Sequence, residues 1–204
     1  MNLNNRKFTI IIFLNLEIAP LIISMQEKVV ITGGPGTGKS TIVDQLQSMG
    51  YHCMPEISRE IILEARELGI EQLFLEDPIL FSKKLLEKRE NQYSSADKSE
   101  KEIVFFDRGI HDIVAYLDFL KVDYKDVFLY SARIHRYSRI FLLPPWEEIY
   151  LTDNERYESF DQALSIYRHL KLTYNRFGYE MTEVPFGKVE DRVDYMLNSL
   201  KTNL

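Results

Sequence analysis

Several things are scarce in this sequence of 204 residues. It holds a single cysteine, Cys53, so no disulfide can form within the chain and no zinc site can draw on several thiolates. Its four histidines, His52, His111, His135 and His169, show no metal-ligand spacing. Basic residues are the minority: 25 Lys and Arg stand against 31 Asp and Glu, a formal net charge of −6. With no basic tract, that balance argues against nucleic acid or an anionic membrane as partner, though it leaves room for a local basic pocket. Nine glycines and seven prolines are too few for a fibrous or low-complexity chain. Internal repeats are absent. What remains is a hydrophobic fraction of 45% and a charged fraction of 27%, ordinary values for a globular protein long enough to bury a sizeable core.

Long hydrophobic runs are also missing, with one partial exception. Phe8 to Ile23 is strongly apolar and follows Arg6 and Lys7, as a signal peptide would begin. Asn15, Glu17 and Pro20 interrupt it, no small-x-small cleavage site follows, and a membrane span needs about 20 apolar residues. Residues 1–24 are read as an extension outside the core fold; an added strand or packed arm, and an anchor or export signal, are the alternatives. A domain of residues 25–204 starts at Met25. The lone cysteine fits a reducing cytoplasm.

From Met25 onward, apolar runs with strand character alternate with helical patterns. Lys28–Thr32, Tyr51–Met54, Glu102–Phe106, Arg139–Leu143 and Tyr179–Val184 read as strands. Lys39–Met49, Ile57–Leu68, Asp77 to about Tyr93, His111–Leu120, Lys125–Tyr137, a helix capped by Ser159 and Gln162, and a last one lined by Val189, Val193, Met196, Leu197 and Leu200 read as helices. Ser94–Lys101 is polar and is expected to be a loop. Such alternation predicts an α/β fold with a mostly parallel sheet and right-handed crossovers.

Gly33-Gly34-Pro35-Gly36-Thr37-Gly38-Lys39-Ser40 matches G-x-x-x-x-G-K-[ST] between a strand and an amphipathic helix, the context a phosphate loop requires. Glycines let backbone N–H groups turn inward around phosphates, and the following helix adds its N-terminal dipole. Gly34, Pro35, Gly36, Thr37, Gly38, Lys39, Ser40 and Thr41 are therefore the candidate contacts of a bound nucleotide, ATP, with Lys39 a charge toward the β- and γ-phosphates. Mg²⁺ needs oxygen ligands, and two are at hand: the Ser40 hydroxyl and Asp107, which ends the apolar strand IVFFD. Ligands bind at the carboxyl ends of strands in such sheets. Asp107 can equally cap the helix that follows. Arg108 can clamp a phosphoryl oxygen or serve in a structural salt bridge.

KVVITGGPGTGKST, a Pro55-Glu56 pair after the second strand, and VFFDRG resemble the deoxynucleoside kinase and nicotinamide riboside kinase branch of P-loop proteins. The chain from Met25 is also similar to a family of small AAA-domain ATPases that share a DRG-x-x-D segment, here Asp107 to Asp112. They share an LLPPWEEIY-x-x-D-x-ER segment as well, here Leu142 to Arg156. The resemblance implies a P-loop NTPase three-layer sandwich with five strands in the order 2-3-1-4-5. It implies Glu56 as base toward an acceptor hydroxyl, although deoxynucleoside kinases show Glu-Pro rather than Pro-Glu. Arg59, three residues on, would share a helical face with Glu56 and bind substrate or pair with it. A lid after the fourth strand, Pro144–Ser159, would carry Arg156, with Arg133, Arg136 and Arg139 as second candidates. Trp146 and Tyr150 can stack on a base or fill the core, and residues 185–189 fall where related kinases hold adenine.

The leading functional expectation is an Mg²⁺- and ATP-dependent phosphotransferase for a small, nucleoside-like acceptor. Lys39, Glu56, Asp107, Arg108 and Arg156 would be its catalytic residues, and Glu56, Arg59 and Arg108 would bind the substrate. A nucleotide-binding regulatory switch with a protein or lipid partner is the alternative. The absence of an N-K-x-D motif favours ATP over GTP for either.

Overall fold

The computed structural model describes residues 26–150 and 159–201. Five strands form one sheet: β1 (Glu27–Gly33), β2 (His52–Met54), β3 (Ile103–Asp107), β4 (Arg139–Leu143) and β5 (Met181–Glu183). Their order is β2-β3-β1-β4-β5, and all four pairings are parallel, so the expected order holds. The central strands are almost wholly apolar because helices cover both faces. Successive side chains alternate between those faces. Val29 and Ile31, with Phe105 and Phe141, pack toward α1 (Lys39–Ser48) and α8 (Val189–Lys201). Val30, with Phe106, Ile140 and Leu142, packs on the other side toward Leu170 and Tyr174 of α7 (Phe160–Arg176).

A third apolar cluster lies among α2 (Ser58–Glu67), α3 (Leu73–Glu76), α4 (Pro78–Ala96), α5 (Ile110–Phe119) and α6 (Asp126–Ile134). Local chemistry sets several ends. Asp77 caps α4 by accepting the Leu80 N–H at 2.9 Å, with Pro78 in the first turn. Ser159 and Gln162 cap α7 reciprocally, as their spacing predicts. Two elements differ from the sequence expectation. α4 runs on to Ala96, because Ala96 is buried against the sheet and draws Ser94 and Ser95 into the last turn. The four-residue α3 has no periodicity to announce it; Leu73 alone anchors it in the core. Residues 1–25 lie outside the described residues. Among the described residues, no helix is long and apolar enough to cross a membrane.

Candidate active site

The β1–α1 turn and the end of β3 meet because β1 and β3 pair in parallel, with Ile31 opposite Asp107. Lys39, the first residue of α1, is buried and donates to Asp107 Oδ1. Burial, and next the charge of Arg108, lower the Lys39 pKa from the ordinary lysine value; Asp107 and Glu56 oppose them. Gly36 and Gly38 take φ of 71° and 74°, the left-handed region that glycine tolerates. A Cβ on Gly36 would stand 2.2 Å from the ring of Tyr150, which lies on the loop. Thr37 and Thr41 brace the turn, donating to the carbonyls of Gly34 at 3.0 Å and Gly38 at 2.7 Å. Ser40 is exposed in the first turn of α1, with Gly34 and Pro35 at the loop's start. A hydroxyl and one carboxylate suit Mg²⁺, which keeps several waters and takes phosphate oxygens for the rest. Among the described residues, no cluster of three or more His, Cys, Asp or Glu side chains could hold a metal without phosphate.

Behind Asp107 the chain makes a sharp turn. Arg108 has φ 74°, uncommon for a side chain with a Cβ, and its N–H donates to Ile31 O at 3.0 Å. That turn aims its guanidinium back at Glu56, where Nε donates to Oε2. Asp112 secures the turn from below. It accepts from Thr32 Oγ1 at 2.5 Å, from the Gly109 N–H at 3.0 Å and from Tyr174 Oη at 2.6 Å, and lies 3.6 Å from Arg108 Nη1. A buried carboxylate so fully partnered is a rigid bracket.

Glu56 precedes α2 and accepts the N–H groups of Ile57 at 3.0 Å and Ser58 at 3.1 Å. Arg89 of α4, only 3% exposed, approaches Glu56 at 3.6 Å and donates to the Gly109 carbonyl at 2.6 Å. Burial by itself would raise the Glu56 pKa, but Arg108, then Arg89 and Lys39, overcome it and hold the carboxyl at about 2. Cys53, on the neighbouring strand, is pushed up to about 12 by burial and by Asp107, so it is an inert thiol.

Arg89, Arg108 and Asp112 form the polar end of a cavity of about 330 Å³. Its walls are apolar and rich in aromatic rings: Ile62 from α2, Phe74 and Leu75 from α3, Phe81 and Leu85 from α4, Ile113, Tyr116 and Phe119 from α5.

The structure thus brings Lys39, Asp107, Arg108 and Glu56 together. It does not bring Arg59 there. Glu56 lies outside the helix, so the two share no helical face, and Arg59 is exposed and absent from the cavity wall. Arg89 and Arg108 take the place expected of it. Arg133 lies in the last turn of α6, Arg136 follows the helix and Arg139 starts β4, all at the sheet edge opposite the phosphate loop, so none can close over it. Arg136 instead donates to Phe177 O at 2.8 Å and lies over the Tyr179 ring. Arg156, with Thr152 and Glu155, lies outside the described residues. Sequence reasoning missed Arg89, although a charged residue four positions after Leu85 on a helix's buried face was a signal.

The family model described as "AAA domain" matches residues 28–192. No curated protein matches the chain. Among solved structures, deoxyadenosine kinase from M. mycoides, with products dCMP and a flexible dCDP bound, superposes with a TM-score of 0.63 at 17% identity, over 86% of this chain and 99% of that one. NadR protein in complex with NR gives 0.63 at 18% identity, over 86% of this chain. NadR with NAD and AMP-PNP gives 0.62 at 19% identity, over 85% of this chain. The present chain spans about half of the NadR chain, 51% and 49% in the two structures. A phosphate loop on a 2-3-1-4-5 sheet and a family match across most of the length lead to one assignment: the chain belongs to the AAA-domain family of P-loop proteins, with a kinase-like α/β fold.

Proposed function

We propose that this protein is an Mg²⁺- and ATP-dependent phosphotransferase that phosphorylates a hydroxyl group of a small, nucleoside-like acceptor. One observation carries the reading: a 330 Å³ aromatic-walled cavity ends on Arg89, Arg108 and Asp112, beside Glu56 and the phosphate loop. A plain hydrolase or a switch has no need of a largely apolar acceptor cleft there.

The phosphate loop and Lys39 hold the β- and γ-phosphoryl groups. Ser40 and Asp107 would hold Mg²⁺, which neutralises charge on the transferring phosphoryl group when bound. Lys39 then moves from Asp107 toward the phosphates. In the cavity, the acceptor's flat apolar body packs between the rings of Phe74, Phe81, Tyr116 and Phe119. Its hydroxyl oxygen forms the new bond to the γ-phosphorus as the bond to the β,γ-bridging oxygen breaks. ADP leaves, and the hydroxyl proton passes to Glu56. With a pKa of about 2, Glu56 is ionised at any physiological pH but is a weak base. Its main contribution is to orient the hydroxyl, as a loose phosphoryl-transfer transition state allows. Arg108 stabilises the charge that develops on the phosphoryl oxygens. Arg156 is retained as the proposed lid arginine. On this reading the partners are nucleotide and small molecule, in a cytoplasm that supplies ATP.

The test is transfer of labelled γ-phosphate from ATP to a panel of nucleosides and ring-bearing alcohols. Transfer to at least one nucleoside-like alcohol is expected. Steady hydrolysis of ATP with no transfer to any alcohol would refute the proposal.

A further inference from the structure

The buried cations of this protein divide into two kinds. Among the described residues, four Lys and Arg side chains are buried: Lys28, Lys39, Arg89 and Arg192. Three of them face a carboxylate. Lys28 pairs with Asp97 at 2.7 Å, Lys39 with Asp107, and Arg89 with Glu56 at 3.6 Å. Arg192 has no such partner among the described residues. It lies on the apolar stripe of α8, between Val189 and Met196, and is 2% exposed. Its Nε and Nη2 are buried and meet no acceptor, and burial lowers its pKa with no carboxylate to oppose it. Arginine nevertheless keeps its proton, so the charge persists in the interior. A buried charge without a counter-charge destabilises the fold that holds it.

The place of this charge is specific. Arg192 Nη1 donates to the Thr37 carbonyl at 3.0 Å, on the outer side of the phosphate loop. A Cβ on Gly38 would stand 2.8 Å from the same nitrogen, so the guanidinium is packed directly behind the residue that precedes Lys39. The peptide between Thr37 and Gly38 is trans. Its N–H therefore points away from Arg192, toward the side where phosphate is expected.

We propose that Arg192 is a buried counter-charge for the bound polyphosphate chain: it destabilises the empty protein and is neutralised, through the loop backbone, when the anion arrives. The inference rests on the reading that the loop binds the phosphates of a nucleotide, and it gives a part in that binding to a residue 155 positions from Thr37. In the empty protein Asp107 already engages Lys39, whereas the Arg192 charge is uncommitted and acts wholly on the incoming anion. Across protein rather than water, one such charge strengthens binding roughly tenfold or more. It acts without touching the nucleotide.

Three variants of the full chain separate charge from hydrogen bond. Arg192→Lys keeps the charge, Arg192→Gln keeps a donor without the charge, and Arg192→Met keeps neither. Calorimetry with Mg²⁺ present measures binding of inorganic tripolyphosphate and of AMP-PNP, and thermal melts measure the ligand-free proteins. Arg192→Lys is expected to bind tripolyphosphate within about threefold of wild type, while Arg192→Gln and Arg192→Met lose roughly tenfold or more. AMP-PNP follows the same order. Ligand-free Arg192→Met is expected to melt about 2–4 °C above wild type, because an apolar chain replaces a lone buried charge. A gain in ligand-free stability joined to a loss of anion affinity is a pair of signs that a merely structural residue does not produce. Arg192→Gln binding as well as or better than Arg192→Lys overturns the counter-charge in favour of the hydrogen bond to Thr37. Arg192→Met binding tripolyphosphate within about threefold of wild type, or melting lower than wild type or without a cooperative transition, also overturns it. Those results leave the phosphate-loop reading standing, because wild type still binds. If wild type binds neither ligand, both readings fall. Should Arg192→Lys or Arg192→Gln fail to fold, the two readouts of Arg192→Met decide the question.

Discussion

Replacing Glu56 by Gln tests the centre of the proposed chemistry and the electrostatics that surround it. The side chain is 17% exposed, and two arginines hold its carboxylate. Its pKa falls from an ordinary 4.5 to about 2, which is worth on the order of 3 kcal/mol of stability at neutral pH. The sign follows from the depressed folded-state value. The contribution is complete above about pH 4.5 and is lost as pH falls toward 2, where native and unfolded chains are both protonated. Urea unfolding at a series of pH values is the assay. Wild type and Glu56→Gln are expected to differ most at pH 7 and to converge in acid. On activity, loss of the orienting acceptor lowers kcat by about 100-fold, the lower end for such groups because so acidic a carboxylate is a weak base. The KM for ATP stays unchanged, since Glu56 touches no part of the donor before transfer. A difference below about 0.5 kcal/mol at pH 7, or one that does not shrink in acid, would refute the electrostatic reasoning. A kcat within a few-fold of wild type would remove Glu56 from the mechanism.

Other outcomes follow from the same geometry. His111 is fully buried among Tyr137, Tyr174, Phe177 and Tyr179, and burial lowers its pKa to about 4 despite Asp112 beside it. The unfolded chain takes up that proton near pH 6.5, so stability falls between about pH 6.5 and 4; His111→Phe flattens this slope in unfolding measurements. Gly36→Ala forces a Cβ into a φ of 71° and against Tyr150, so calorimetry is expected to show nucleotide affinity reduced about tenfold or more. Leu75, on the cavity wall yet 53% exposed, can be shortened with little effect on the thermal midpoint. Leu75→Ala raises acceptor KM a few-fold, about 1 kcal/mol of lost apolar contact, with the KM for ATP unchanged.

Much of this was written in local sequence. The phosphate loop needs only neighbouring residues, because backbone turns, helix dipole and Lys39 all lie within one β-turn-α unit. The strand order needed the resemblance, but the alternation of strand and helix already required a parallel sheet. Ser159 and Gln162 announced their helix because a capping box is a contact three residues long. Arg59 shows the opposite case. Its spacing from Glu56 was read as helical, but Glu56 spends its carboxylate on the first N–H groups of α2 and so stands outside the helix.

The sequence by itself determined where the phosphate-loop motif lies and which carboxylate ends β3, since both follow from short-range pattern. Only the tertiary structure decided what surrounds Glu56. Arg89 arrives from a helix 33 residues along the chain, Asp112 reaches across to Thr32 over a separation of 80, and Arg192 reaches Thr37 over a separation of 155. The reason is physical. A buried charge must find its partner wherever the packed core puts one, and the core is a three-dimensional solution that no local window contains.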